Sequence, residues 1–335
     1  MIRALSLGAA SMLTASSAFA APPSPAHAPP EYLSTAQLEA RYRLPQSRFV
    51  TIEGARIHYT DEGRGPTIVL LHGSSSSLRT YDGVVQRLKG FRVIRYDEPN
   101  MGLSGPAPRS LYERELYPVA VLEGLLAKLN VRKATLVGVS SGGAAAFFFA
   151  ARHPQMVDRL ILSNTPRGRA DGRGMRLSPA LAREIAQSTP KDGRQSKVYR
   201  PRTYWEAFFQ FYTGEPERVG PGLITQYYDM NRRVPVPDRL AMVAALDDAD
   251  GVATALAAVK VPTLLLWGAR DPILPPQSAA DLAAGLNNAQ VSSVMMRDVG
   301  HYPPLEAPER FGDLVSAWLA SAVPIEPKAP APADR

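Results

Sequence analysis

Thr135-Leu136-Val137-Gly138-Val139-Ser140-Ser141-Gly142-Gly143, followed at once by Ala144-Ala145-Ala146-Phe147, decides how this chain folds. A β-branched, apolar run enters a Gly-x-Ser-x-Gly turn and a helix-forming run leaves it. A serine hydroxyl becomes a useful nucleophile only when it is bared and angled toward a base. A sharp strand-to-helix turn does both, and glycines flank the serine because the turn has no room for side chains there. The helix behind it starts with backbone N–H groups that have no intrahelical acceptor, so they face the place where negative charge would develop. With 25 glycines in 335 residues the pattern alone is weak; its position between strand and helix gives it meaning.

The partners of such a serine lie downstream. Pro262-Thr263-Leu264-Leu265-Leu266-Trp267 reads as a buried strand and runs into Gly268-Ala269-Arg270-Asp271-Pro272, which places Asp271 in a loop just past the strand. Val291-Ser292-Ser293-Val294-Met295-Met296 reads as another strand and leads through Asp298-Val299-Gly300 to His301. The order Ser140, Asp271, His301 is that of the α/β-hydrolase fold, and here the chain resembles that superfamily. The resemblance implies that the three meet at the carboxyl edge of a mostly parallel sheet with helices on both faces.

Two upstream segments extend the resemblance. Ile68-Val69-Leu70-Leu71-His72-Gly73-Ser74 is a strand ending in His-Gly, which in this family precedes an oxyanion-hole loop. The donors implied are the backbone N–H groups of Ser74 and Ser141. Asp97-Glu98-Pro99-Asn100-Met101-Gly102-Leu103-Ser104 is similar to the family's Asp-x-Pro-Gly-x-Gly-x-Ser, with Asn100 where glycine is usual. Asparagine tolerates left-handed backbone angles, so the turn is expected to survive. His72 and Asp97 read as structural residues of these loops. The rival acids are Asp247, Asp248 and Asp250. Among the other histidines, His58 lies on a hairpin strand, His153 at a helix end and His27 in a linker.

Composition bounds the rest. Met1-Ile2-Arg3, an apolar run and Ser17-Ala18-Phe19-Ala20 read as an export signal cut after Ala20, which implies a periplasmic or secreted protein. Residues 21–44 are expected to be a Pro-rich linker and N-terminal segment, and 324–335 a disordered tail. Residues 45–164 and 261–323 are assigned to the α/β core. Phe49–Ile52 and Arg56–Tyr59, joined around Glu53-Gly54, read as an opening hairpin. The chain has no cysteine and no His-x-x-x-His pair, so neither a disulfide nor a metal is called for, and the chemistry needs no cofactor.

The alternation of strands and helices breaks at residues 165–260, where the family inserts a helical cap. The cap is rich in aromatics, namely Tyr199, Tyr204, Trp205, Phe208, Phe209, Phe211, Tyr212, Tyr227 and Tyr228, most expected to pack it onto the core and a few to line a substrate cleft. Residues 166–235 also carry +6 of the formal +7 charge. That excess is either solvated arginine or attraction for an anionic substrate or membrane face. No nucleic-acid module is recognisable.

Serine at the elbow argues against the dehalogenases and epoxide hydrolases of this fold, which use aspartate there. Acyl chemistry on a small apolar or anionic ester or lactone is the reading preferred. Carbon–carbon hydrolysis of vinylogous diketo acids, cofactor-free perhydrolysis and ligand binding without turnover remain open. His72-Gly73-Ser74-Ser75-Ser76-Ser77 resembles the Ser-rich loop of some esterases and lactonases. It lacks the Gly-Pro-Gly that often follows in the carbon–carbon hydrolases.

Overall fold

A computed structural model describes residues 32–168, 177–188, 200–233 and 245–321. The leader-like segment 1–20, the Pro-rich stretch 21–30, the tail 324–335, Tyr199 and several basic cap residues lie outside them. The first half of the chain supplies α1 (Thr35–Tyr42), β1 (Arg48–Ile52), β2 (Ala55–Gly63), β3 (Thr67–Leu71), α2 (Asp82–Val85) and β4 (Arg92–Tyr96). Then come α3 (Arg109–Tyr112), α4 (Tyr117–Lys128), β5 (Ala134–Val139), α5 (Ser141–Arg152) and β6 (Val157–Ser163). The cap contributes α6 (Pro179–Ser188), α7 (Arg202–Tyr212) and α8 (Pro221–Asn231). The chain closes with α9 (Ala249–Ala258), β7 (Thr263–Gly268), α10 (Pro276–Gly285), β8 (Val291–Met296), α11 (Pro303–Glu306) and α12 (Pro308–Ser321).

The strands form one sheet in the order β1-β2-β4-β3-β5-β6-β7-β8. The β1–β2 and β2–β4 pairs are antiparallel; every later pair is parallel. The hairpin turns at Glu53 and Gly54, both at positive φ, as a two-residue turn matched to strand twist requires. From β3 the chain steps one way to β4 and returns past β3 to β5, so the strand order reverses between β3 and β5. Crevices at the carboxyl ends beside such reversals are where open α/β sheets bind ligands. The loops bearing Ser74 and Ser140 flank this one.

Alternation along the central strands builds two cores. Val69, Leu71, Leu136, Leu160 and Leu265 face one side with α4, α5 and α10, while Ile68, Leu70, Val137, Ile161 and Leu264 face the other with α2 and α12. Strands buried on both faces are continuous in hydrophobicity, which is why they were legible. The cap aromatics Trp205, Phe208, Phe209 and Tyr227 belong to the second core, so they pack the cap down. Among the described residues no helix is long and apolar enough to cross a membrane.

One boundary moves. Residues 249–260 fall within the expected cap, but α9 buries Val252 and Leu256, at i,i+4 spacing, in the first core beside α5. Asp248, one of the rival acids, is the N-cap of that helix and accepts the Gly251 N–H at 3.0 Å. The N-terminal segment that follows the Pro-rich stretch contains α1. Its start is a capping box, with Ser34 and Gln37 exchanging bonds across the first turn. Leu33 and Leu38 bury against Leu103 and Met230, and Arg41 and Tyr42 each reach Asp229 of α8 at 2.8 Å.

Asp229 carries a pH signature. Burial would raise its carboxyl pKa, but hydrogen bonds from Tyr42, Arg232 and Arg41 outweigh it and leave the value lowered. Burial of Asp97 is likewise outweighed, here chiefly by the charge and hydrogen bond of His58. Carboxylates with lowered folded pKa values contribute stability that is present above the unfolded value of about 3.9 and lost as pH falls through the folded one. Thermal unfolding is therefore expected to lose midpoint below about pH 4, and Asp229→Asn to flatten that slope. An unchanged slope in the variant would sink the assignment.

Candidate active site

Ser140 stands between β5 and α5 with φ 54° and ψ −125°, a strained non-glycine conformation. The sheet partly supports it, since its N–H donates to Ser163 O at 3.0 Å. Close approach explains two neighbouring glycines. A Cβ on Gly142 would collide with the carbonyl oxygens of Leu71 and His72, and one on Gly143 with Thr165 Oγ1. The elbow is thus wedged against the end of β3, which brings the two predicted oxyanion residues together: Ser74 Oγ donates to Ser141 Oγ at 3.0 Å. Ser141 opens α5, so its N–H lacks an intrahelical acceptor.

The orientation of the Ser74 N–H is set one residue earlier. His72 Nδ1 bonds Gly73 O at 2.8 Å, and Gly73 O belongs to the same peptide plane as the Ser74 N–H. The Glu98 N–H meets His72 Nε2 at 3.1 Å, which fixes Nδ1 as the protonated nitrogen. His72 is structural, as its sequence context implied. Asn100 adopts φ 56°, the left-handed conformation expected at the position where the family has glycine.

Asp271 and His301 are joined. His301 Nδ1 and Asp271 Oδ2 lie 2.6 Å apart, both side chains almost fully buried. Asp271 Oδ1 accepts from the N–H groups of Ile273 and Leu274, at 2.9 and 3.0 Å. With Nδ1 engaged, Nε2 is the imidazole nitrogen left for a nucleophile. Ser140 Oγ makes no hydrogen bond to His301 among the described residues. Such bonds are often long before substrate arrives.

Two residues that sequence reasoning missed complete the arrangement. Asn164, just past β6 at φ 43°, donates from Nδ2 to Asp271 Oδ2 at 2.6 Å and accepts the Gly268 N–H at 3.0 Å. Glu306 on α11 accepts the N–H groups of Gly214, Gly300 and Tyr302 at 2.7, 2.9 and 3.0 Å, clamping the His301 loop to the end of α7. Burial raises the Glu306 pKa, and those three donors pull it the other way. Pro303-Pro304-Leu305-Glu306 carries no motif that marks such a role; only the packing shows it. Asn164 had a faint signal, an asparagine at a strand end in the carboxyl-edge layer.

The cap closes over the histidine. His301 N–H donates to Tyr212 O at 2.8 Å, and the Tyr212 and Tyr302 rings lie 5.7 and 4.8 Å from the imidazole. Burial pushes the Tyr212 phenol up to about 12 and holds the Tyr302 phenol well above its ordinary value. Both are therefore neutral throughout the working range. Among the described residues no group of three His, Cys, Asp or Glu side chains could hold a metal ion.

Asn164→Gly tests the support of Asp271, since glycine keeps the positive φ and removes only the side chain. Small misplacements near reacting atoms cost up to about 10²-fold, so kcat is expected to fall on the order of 10- to 100-fold with KM little changed. Wild-type kcat in that variant would remove Asn164 from the site.

A family model described as alpha/beta hydrolase fold matches residues 66–308. The 2-hydroxy-6-oxononadienedioate/2-hydroxy-6-oxononatrienedioate hydrolase of Escherichia coli K12 is 27% identical over 293 residues, covering 82% of this chain and 96% of that protein. A hydrolase of the same name from Cupriavidus pinatubonensis is 27% identical over 302 residues, covering 85% and 99%. Among solved structures, the enol-lactonase of Burkholderia xenovorans LB400 superposes with a TM-score of 0.62 at 22% identity, covering 82% of this chain and 100% of that one. At that identity the likeness is one of fold.

Proposed function

The chain belongs to the α/β-hydrolase fold family, and we propose that it is a serine hydrolase cleaving carboxylic esters or lactones through an acyl-enzyme. Ser140 Oγ attacks the carbonyl carbon while His301 Nε2 takes its proton. Asp271 holds the imidazole tautomer and stabilises the imidazolium. The tetrahedral oxyanion is bound by the N–H groups of Ser74 and Ser141. His301 returns the proton to the leaving group, and water activated by the same nitrogen releases the acyl group. One observation carries this reading. The strained elbow of Ser140 shares a sheet edge with an imidazole whose other nitrogen is 2.6 Å from a buried carboxylate.

Carbon–carbon hydrolysis of vinylogous diketo acids is the second reading, favoured by the names of the two relatives above. Ester chemistry is favoured by the run Ser74-Ser75-Ser76-Ser77 after His72-Gly73. One purified sample separates the two. Turnover of p-nitrophenyl butyrate or a lactone well above turnover of a 2-hydroxy-6-oxo-dienoate supports the ester reading; the reverse ranking supports the other. Protein inert toward all of these, and unlabelled by a fluorophosphonate, would leave only a ligand-binding role.

A further inference from the structure

We propose that Asn231, at the last position of cap helix α8, is a positioning residue for the oxyanion loop and so couples the seating of the cap to transition-state binding. The inference rests on the serine-hydrolase reading above. It starts from Ser75, whose φ of 58° puts a non-glycine residue in the left-handed region directly after the donor Ser74. Such a conformation persists only where surrounding contacts hold it. Asn231 Nδ2 donates to Ser75 O at 2.9 Å, across 156 residues of sequence. The same nitrogen donates to Tyr227 O at 2.9 Å, which fixes the amide on the helix. One turn earlier, the Tyr227 hydroxyl lies 2.8 Å from Ser76 Oγ.

Helix α8 therefore holds two consecutive residues of the loop. His72 fixes the peptide before Ser74; Asn231 fixes the peptide after Ser75. Without the Asn231 bond the peptide after Ser75 is released, Ser75 can leave its positive φ, and that relaxation would shift the Ser74 backbone, and with it the donor N–H, relative to the elbow. The helix itself is anchored from outside the site. Asp229, between Tyr227 and Asn231, takes the bonds from Arg41 and Tyr42 of α1, and Arg233 Nη1 donates to Gly102 O at 2.7 Å. A cap that unseats takes both loop contacts with it.

The test is kinetic, with p-nitrophenyl butyrate as substrate. Deleting an oxyanion donor costs on the order of 10²–10³ in turnover, and loosening one is expected to cost less. Asn231→Ala should lower kcat on the order of 10- to 100-fold with KM within about twofold. Affinity for butylboronic acid, which forms a tetrahedral adduct on the serine, should fall by a similar factor. Affinity for butyrate, a ground-state product, should hold. Asn231→Asp is the second variant, for use if the alanine protein does not fold. Its ionised carboxylate matches the amide in size but cannot donate to Ser75 O, and the same split is expected. Wild-type kcat in either folded variant overturns the proposal. Equal losses of boronate and butyrate affinity overturn it too, since they indicate a damaged pocket. Wild-type protein inert to ester and boronate alike overturns the hydrolase reading, and this inference with it.

Discussion

Ser140→Ala is expected to lower p-nitrophenyl ester turnover by at least about 10⁴-fold, since losing the nucleophile of a serine–histidine–aspartate unit costs on that scale or more. The variant should fold as wild type does. Alanine removes one oxygen from a partly buried position, and the Ser140 N–H keeps its bond to Ser163 O. Fluorophosphonate labelling should vanish in parallel. Substantial turnover in Ser140→Ala would place the chemistry at another residue. An alternative candidate exists in this chain, which makes the experiment more than a formality.

That candidate is a second Ser-His-Asp array. His58 Nε2 lies 2.7 Å from Ser47 Oγ, and His58 Nδ1 lies 2.6 Å from Asp97 Oδ2, all three buried. By hydrogen bonds alone it is more complete than the array at Ser140. It lacks what makes a serine reactive toward substrate. Ser47 Oγ accepts the Leu44 N–H at 2.9 Å and is 7% exposed as a residue, with no strained turn behind it and no helix start beside it. Its work is structural. Asp97 also accepts the N–H groups of Leu78 and Leu103, both at 2.7 Å, and so ties the end of β4 to the residue that follows the Ser74–Ser77 loop.

The second large effect follows from that array. His58→Ala removes the partner of a fully buried carboxylate, and breaking such a pair typically costs about 3–5 kcal/mol. For a domain of this size each kcal/mol moves the unfolding midpoint by roughly 2 °C, so a drop of about 6–10 °C is expected. Turnover per folded molecule should stay close to wild type, and Ser47→Ala should remain active. A His58→Ala protein that keeps its midpoint but loses activity would reverse the roles assigned to the two arrays.

Much of this was legible in the chain. The parallel strands were visible because both their faces are buried, which leaves unbroken apolar runs such as Ile68–Leu71 and Thr263–Trp267. The hairpin turn at Gly54 and the left-handed turn at Asn100 are legible because few residue types accept positive φ. Helix α1 has one local mark, the Ser34–Gln37 capping box, and an eight-residue helix carries too little periodicity to stand out beside a Pro-rich stretch. Helix α9 reads as part of the cap because local pattern does not say which layer a helix joins. That depends on which surface its Val252 and Leu256 can bury against.

By itself, the sequence determined the sheet, the elbow and the order of its partners, because those depend on local backbone geometry and on apolar runs written in consecutive residues. Tertiary structure decided everything carried by side chains distant in sequence. It gave Asp271 its support from Asn164, clamped the His301 loop with Glu306, and set cap residue Asn231 on the Ser75 carbonyl. It also separated the two Ser-His-Asp arrays. Hydrogen bonds between distant segments leave no periodicity in a chain, and whether a serine is reactive depends on the backbone strain and free amides around it, which exist only once the strands have assembled.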